Sequence, residues 1–133
     1  MTNGFGKYGS GFARPAGKPD KLKKEWRLDI KTQARLEARA EIIKAMAHPT
    51  RLFIIEELTR NERCVNELTE KIGADVSTVS KHLSVLKTAG IVRDEKRGAQ
   101  VYYSLKVPCI LNFFGCVESV LKTSAEERSA LVK

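Results

Sequence analysis

At 133 residues and 42% hydrophobic content, the chain is long enough for one domain with a modest core. No apolar run approaches the ~20 residues of a membrane span, and no apolar signal region follows the first charges, so we expect a soluble, cytoplasmic protein with no membrane partner. A net charge of +8 suggests a polyanionic partner, and three cysteines, an odd and sparse set, argue against a disulfide framework.

The charge is uneven. Residues 1–40 hold ten Lys or Arg against four Asp or Glu, leaving the remainder nearly balanced. Residues 1–19 concentrate glycine, with Phe5, Tyr8, Phe12, Pro15 and Pro19 among them. Such a composition cannot pack a core and predicts a disordered basic tail, either passive or able to stack on nucleic acid. The folded domain is expected over 20–122. From Lys21 to Ala47 there is no Gly or Pro. Leu22, Trp26 and Ile30, then Leu36, Ala40, Ile43 and Ala47, form apolar stripes that predict one long helix or two joined ones. The stripe suits pairing with another subunit.

His48-Pro49 interrupts this pattern, and Pro49 suits a first helical position. Leu52, Ile55 and Leu58, with Phe53 and Ile54, predict a short buried helix to about Arg60. Val65, Leu68 and Ile72 line another short helix, ended by Gly73. Asp75 is a good N-cap for the next, whose buried face is Val79, Leu83 and Leu86 and whose stop is Gly90. Two helices joined by such a turn make a helix-turn-helix. Strands at 91–95 and 100–105 flank a basic turn, Lys96-Arg97-Gly98-Ala99, and form a β-hairpin wing. Pro108 precedes a final helix to about Lys122, after which 123–133 reads as a polar, frayed tail. The fold class is therefore α+β and mostly helical: a winged helix-turn-helix with a long N-terminal helix and a C-terminal dimerisation helix.

With the apolar residues inward, the second helix of the helix-turn-helix turns Ser77, Thr78, Ser80, Lys81 and His82 outward. Short hydroxyl side chains let a helix come close to the major groove, and Lys81 and His82 add donors. The wing offers Lys96, Arg97 and Gln100, with Arg97 expected on phosphate or in the minor groove. Tyr102 and Tyr103 alternate faces, so one of them belongs to the core. A single recognition helix spans few base pairs, so double-stranded operator DNA read by a symmetric homodimer is the expected partnership. With only His48 and His82 and no acid/base or nucleophile constellation, an enzyme is not expected.

The runs AMAHPTRLFIIEEL, CVNELTEKIGADVSTVSKHLSVLKTAGIV and VYYSL, in that order, closely resemble the ArsR/SmtB family of metal-sensing repressors over about residues 40–122. The resemblance implies a homodimeric winged helix, joined through its first and last helices, that represses its own operon and releases DNA when an inducer binds. Its sensor sites carry over unevenly. The Cys-Val-Cys of one arsenite-sensing type is here Cys64, Val65 and Asn66, with one thiol missing. The zinc type needs His on the last helix, where only Glu118 stands. The persulfide type needs a Cys near Glu56, where there is none. Arsenic sensors with cysteines around the last helix match best.

The thiols Cys64, Cys109 and Cys116 are therefore candidate metal ligands, the alternative being small buried residues. Cys64 is a poor N-cap but a helix N-terminus beside Arg63 favours a thiolate. On a helix, Cys116 would lie about 340° round from Cys109, on one edge of the apolar face, but about 10 Å along the axis. Two thiolates on one ion lie within roughly 4 Å of each other, so one intact helix cannot offer both to it. Either the helix starts after Cys109, or the two serve different sites, one shared with Cys64 or another subunit. Thiol-only ligation favours soft ions. The expectation is no resident cofactor and an arsenite or antimonite inducer, with cadmium or lead as alternatives. Competing readings are a thiol redox or persulfide switch and a winged helix with no effector.

Overall fold

The computed structural model of the chain describes residues 28–132. The expected tail over 1–19 and the stripe residues Leu22 and Trp26 lie outside them. Residues up to Glu37 belong to one compact unit and Ala38 onward to a second. The elements are α1 (Ile30–Met46), α2 (Pro49–Arg60), β1 (Arg63–Cys64), α3 (Val65–Ile72), α4 (Val76–Thr88), β2 (Val92–Arg97), β3 (Gln100–Leu105) and α5 (Ile110–Val132). No helix among the described residues is long and apolar enough to cross a membrane.

Local chemistry sets the boundaries. Asp29 caps α1: its Oδ1 accepts from the Thr32 amide at 2.7 Å. The expected helix or pair of joined helices over Lys21–Ala47 is present from Ile30, and its part over 21–27 lies outside the described residues. His48 is extended, and its Nδ1 accepts from the Thr50 amide at 3.1 Å, so it caps α2 just ahead of Pro49. Gly73 ends α3 at φ 76°, a left-handed conformation that a side chain would strain.

The core lies where α2, α3 and α4 meet the sheet. Ile54, Ile55, Leu68, Val79, Leu83, Leu86 and Ile91 are essentially inaccessible to solvent. Burying each such side chain stabilises the fold by about 1.5–3 kcal/mol. Leu58 of α2, Ala45 and Met46 at the end of α1, Val92 and Ile110 complete the cluster, with Tyr103, Leu105 and Phe114 packed against it. Leu52, expected in the core, is instead exposed at the surface of α2.

The sheet has the order β1-β3-β2 and is antiparallel throughout. The hairpin strand is longer than expected. Lys96 and Arg97 pair with Val101 and Gln100, leaving only Gly98-Ala99 as the turn. Gly98 has φ 62° while Ala99 is not left-handed, the pattern of a tight two-residue type II′ reversal. The two-residue strand β1 was not expected; it pairs Arg63 with Tyr103 and Cys64 with Tyr102.

The last helix also differs. It continues past Lys122 to Val132, so the stretch expected to fray is helical. Its residues TSAEERSALV contain no Gly or Pro and are rich in Ala, Glu, Arg and Leu, which favour helix whether or not they are buried. Thr123 Oγ1 and Arg128 Nε donate back to the carbonyls of Ser119 and Ser124.

Candidate nucleic-acid interface and thiol sites

Helix α4 is held from below by Val79, Leu83 and Leu86 and turns its other side outward. Ser77, Thr78 and Lys81 are exposed, Ser80 and His82 half-buried. The structure thus brings the five expected residues onto one helix but gives them different tasks. The hydroxyls of Ser77 and Thr78 both donate to the Asp75 carboxylate at the start of α4. These two bonds, Ser77 first, pull the Asp75 pKa down to about 2. An ionised Asp75 sits well at a helix N-terminus, and it orients the two hydroxyls together.

His82 does not stand free on the outer face. Its ring lies 4.4 Å, centroid to centroid, from that of His48. Burial, then the nearby His48 and Arg51, push its pKa below the usual histidine value. His82 is thus the joint between α4 and the cap of α2. An outward-facing sequence position missed this, because the pairing partner lies in another element.

In the wing, Lys96 is exposed and makes no ion pair among the described residues. Arg97 is fully engaged. Its guanidinium pairs with both oxygens of Glu62, the Nη2–Oε2 distance being 3.0 Å, and with Glu95 at 2.9 Å. It also lies over the Tyr102 ring, 5.0 Å from its centroid. Arg97, expected on DNA, is paired here within the protein. Gln100 accepts from Asn66 Nδ2 at 3.5 Å, tying β3 to α3.

The thiols are scattered. Cys64 is buried at the N-cap of α3, and its amide donates to Glu67 Oε1 at 3.4 Å. Hydrogen bonding from Cys64, and then from Arg63, keeps the Glu67 pKa below the usual glutamate value. Arg63, expected to favour a thiolate, is spent on Glu67 at 3.1 Å and Glu57 at 3.6 Å. Glu57, unforeseen in the sequence, is a buried carboxylate ringed by Arg60, Arg63 and Lys71. Cations on three sides compensate its burial. Cys109 lies in the turn before α5, its carbonyl accepting from the Asn112 amide at 3.0 Å. Both Cys109 and Cys116 are exposed. No group of three or more His, Cys, Asp or Glu able to hold a metal ion occurs among the described residues.

Between α1, α2 and α5 runs an apolar groove of about 240 Å³, lined by Ile43, Met46, Leu52, Phe113, Phe114 and Val117 among others. Beyond it α5 exposes Leu111, Val120 and Leu121. A face this apolar is unusual for surface left in water.

Comparison with known proteins matches this architecture. A sequence profile described as "Bacterial regulatory protein, arsR family" matches residues 48–94. The HTH-type transcriptional repressor SmtB of Mycobacterium tuberculosis is 40% identical over 70 residues, which make up 53% of this chain. The match spans only about half (52%) of SmtB's own length. The nodulation protein NolR of Rhizobium meliloti is 32% identical over 99 residues, covering 73% of this chain and 81% of NolR. Among solved structures, the homodimeric winged helix-turn-helix DNA-binding domain of Mb0332 from Mycobacterium bovis superposes with a TM-score of 0.62 at 27% identity. That superposition covers 85% of this chain and 95% of the domain.

Proposed function

The chain belongs to the ArsR/SmtB family, and from that premise we propose that it is a homodimeric transcriptional repressor released from double-stranded operator DNA by an inducer acting on its thiols. The observation that carries the DNA-binding part is the presentation of α4. Its apolar side is sealed in the core, and it offers Lys81 and the Asp75-oriented hydroxyls of Ser77 and Thr78. The wing beside it offers Lys96. Two copies related by a twofold axis would place two such helices in successive major grooves, about 34–36 Å apart. The uncovered apolar face of α5 supports the pairing.

For the inducer, Cys109 and Cys116 are the accessible thiols, while Cys64 is buried. Arsenite or antimonite, with cadmium or lead as alternatives, suits thiol-only ligation. One described chain gathers no three ligands, so such an ion would draw cysteines from both subunits. Reversible oxidation or persulfidation is favoured by the same exposure, since it requires accessible sulfur and no convergence of ligands.

The test is titration of the protein–promoter complex with arsenite, antimonite, cadmium, zinc and a persulfide donor, followed by repetition with each Cys→Ser variant. Release by arsenite that Cys116→Ser abolishes supports the metalloid reading. Release only by the persulfide donor or an oxidant selects the other. Operator binding that no agent relieves removes the inducer and leaves a winged helix without an effector. No sequence-selective binding removes the repressor.

A further inference from the structure

The wing carries a cation that its own fold has already used. Arg97 pairs with two carboxylates from different places, Glu62 ahead of β1 and Glu95 on β2, and stacks on Tyr102 of β3. Glu62 and Arg97 are separated by 35 positions in the chain. Their pairing links the end of β2 to the residue immediately ahead of β1, across Tyr102 of β3. An isolated exposed ion pair contributes little, but a two-pronged Arg–carboxylate contact within a network is the exception. Arg97 accordingly has its pKa raised, by Glu62 first and Glu95 second.

Moving Arg97 onto a phosphate would leave Glu62 and Glu95 unpaired close to another anion. Like charges brought together there oppose binding. Lys96, adjacent and unpaired among the described residues, faces no such cost. We infer that Arg97 is a positioning residue that fixes the wing against the β1–α3 segment, and that Lys96 is the wing's phosphate contact. This rests on the proposed DNA binding for its consequence, though not for the brace itself.

Two measurements test it. The first needs no DNA: thermal melts of the wild type, Glu62→Gln, Arg97→Gln and the double variant form a cycle. The brace predicts that the double variant melts no lower than Arg97→Gln alone, because the shared interaction is lost only once. Additive losses overturn it. The second measures operator affinity against KCl concentration. Lys96→Gln should flatten the log–log slope by about one, the mark of a lost phosphate contact. Arg97→Gln should weaken binding about three- to tenfold with the slope unchanged, and Arg97→Lys, which cannot fork between carboxylates, should not restore it. A slope reduced by Arg97→Gln, rescue by Arg97→Lys, or tighter binding by Glu62→Gln would each show Arg97 acting on DNA and sink the inference. If the wild type binds no operator at all, the repressor reading fails, while the melting cycle still decides the brace.

Discussion

Helices α4 and α5 start from similar material, apolar residues at helical spacing, and end in opposite conditions. Over 13 residues α4 buries Val79, Leu83 and Leu86 completely. Over 23 residues α5 buries only Ile110, and Phe113, Val117, Val120 and Leu121 remain exposed. The helix that presents polar groups has its main apolar face covered within the chain, with Val76 and Val85 left exposed. The helix whose apolar face is unfinished depends on what covers it. The proposed reading surface and the proposed assembly surface are therefore assigned to different elements.

The strongest way to break this contrast is to cut each helix in turn. Leu83→Ala should cost about 2–5 kcal/mol, as buried leucine truncations do, and lower the melting temperature at every protein concentration. Tolerance of that change would mean α4 is less firmly seated than its burial indicates. Val117→Asp, at an exposed position on α5, should do something different. It should weaken dimerisation about tenfold or more by sedimentation, and make stability depend more steeply on concentration. A variant that stays dimeric would show that the apolar face of α5 is not the interface.

A smaller effect would sharpen the contrast at the joint between α4 and α2. The His82 pKa is held low in the fold, by burial first and then by His48 and Arg51. The unfolded chain takes up this proton near the ordinary value of about 6.5, and the folded chain only at lower pH. Stability is therefore complete above about pH 6.5 and declines as pH falls below it. Urea midpoints at pH 7.5 and 5.5 should show the decline, and His82→Gln should reduce it. An unchanged dependence in that variant would place the titration elsewhere.

What was legible in the sequence were the features carried by periodicity and by short-range chemistry. Val79, Leu83 and Leu86 announced α4, Asp75 and Gly73 its approach, and the turn around Gly98 the wing. What was not legible depended on partners far apart in the chain. Arg97 reads as a free cation until Glu62 is brought to it. His82 reads as an outward donor until His48 meets it. Glu57 reads as one more acid on a helix until Arg63 and Lys71 close over it. Polarity also misled at the end of α5, where Ala and Glu were read as a tail although they extend a helix well. For the thiols, spacing posed the right question about Cys109, and the turn ahead of Ile110 answered it.

The length of α5 gives that turn mechanical weight. At about 1.5 Å per residue, 23 residues make a rod of about 34 Å. Its anchored end lies beside Cys109, where its first residue is also its only buried one. A tilt of about 10° at that end would carry Val132 through about 6 Å over such a length. A change confined to one exposed sulfur at the fulcrum would thus be magnified along the arm.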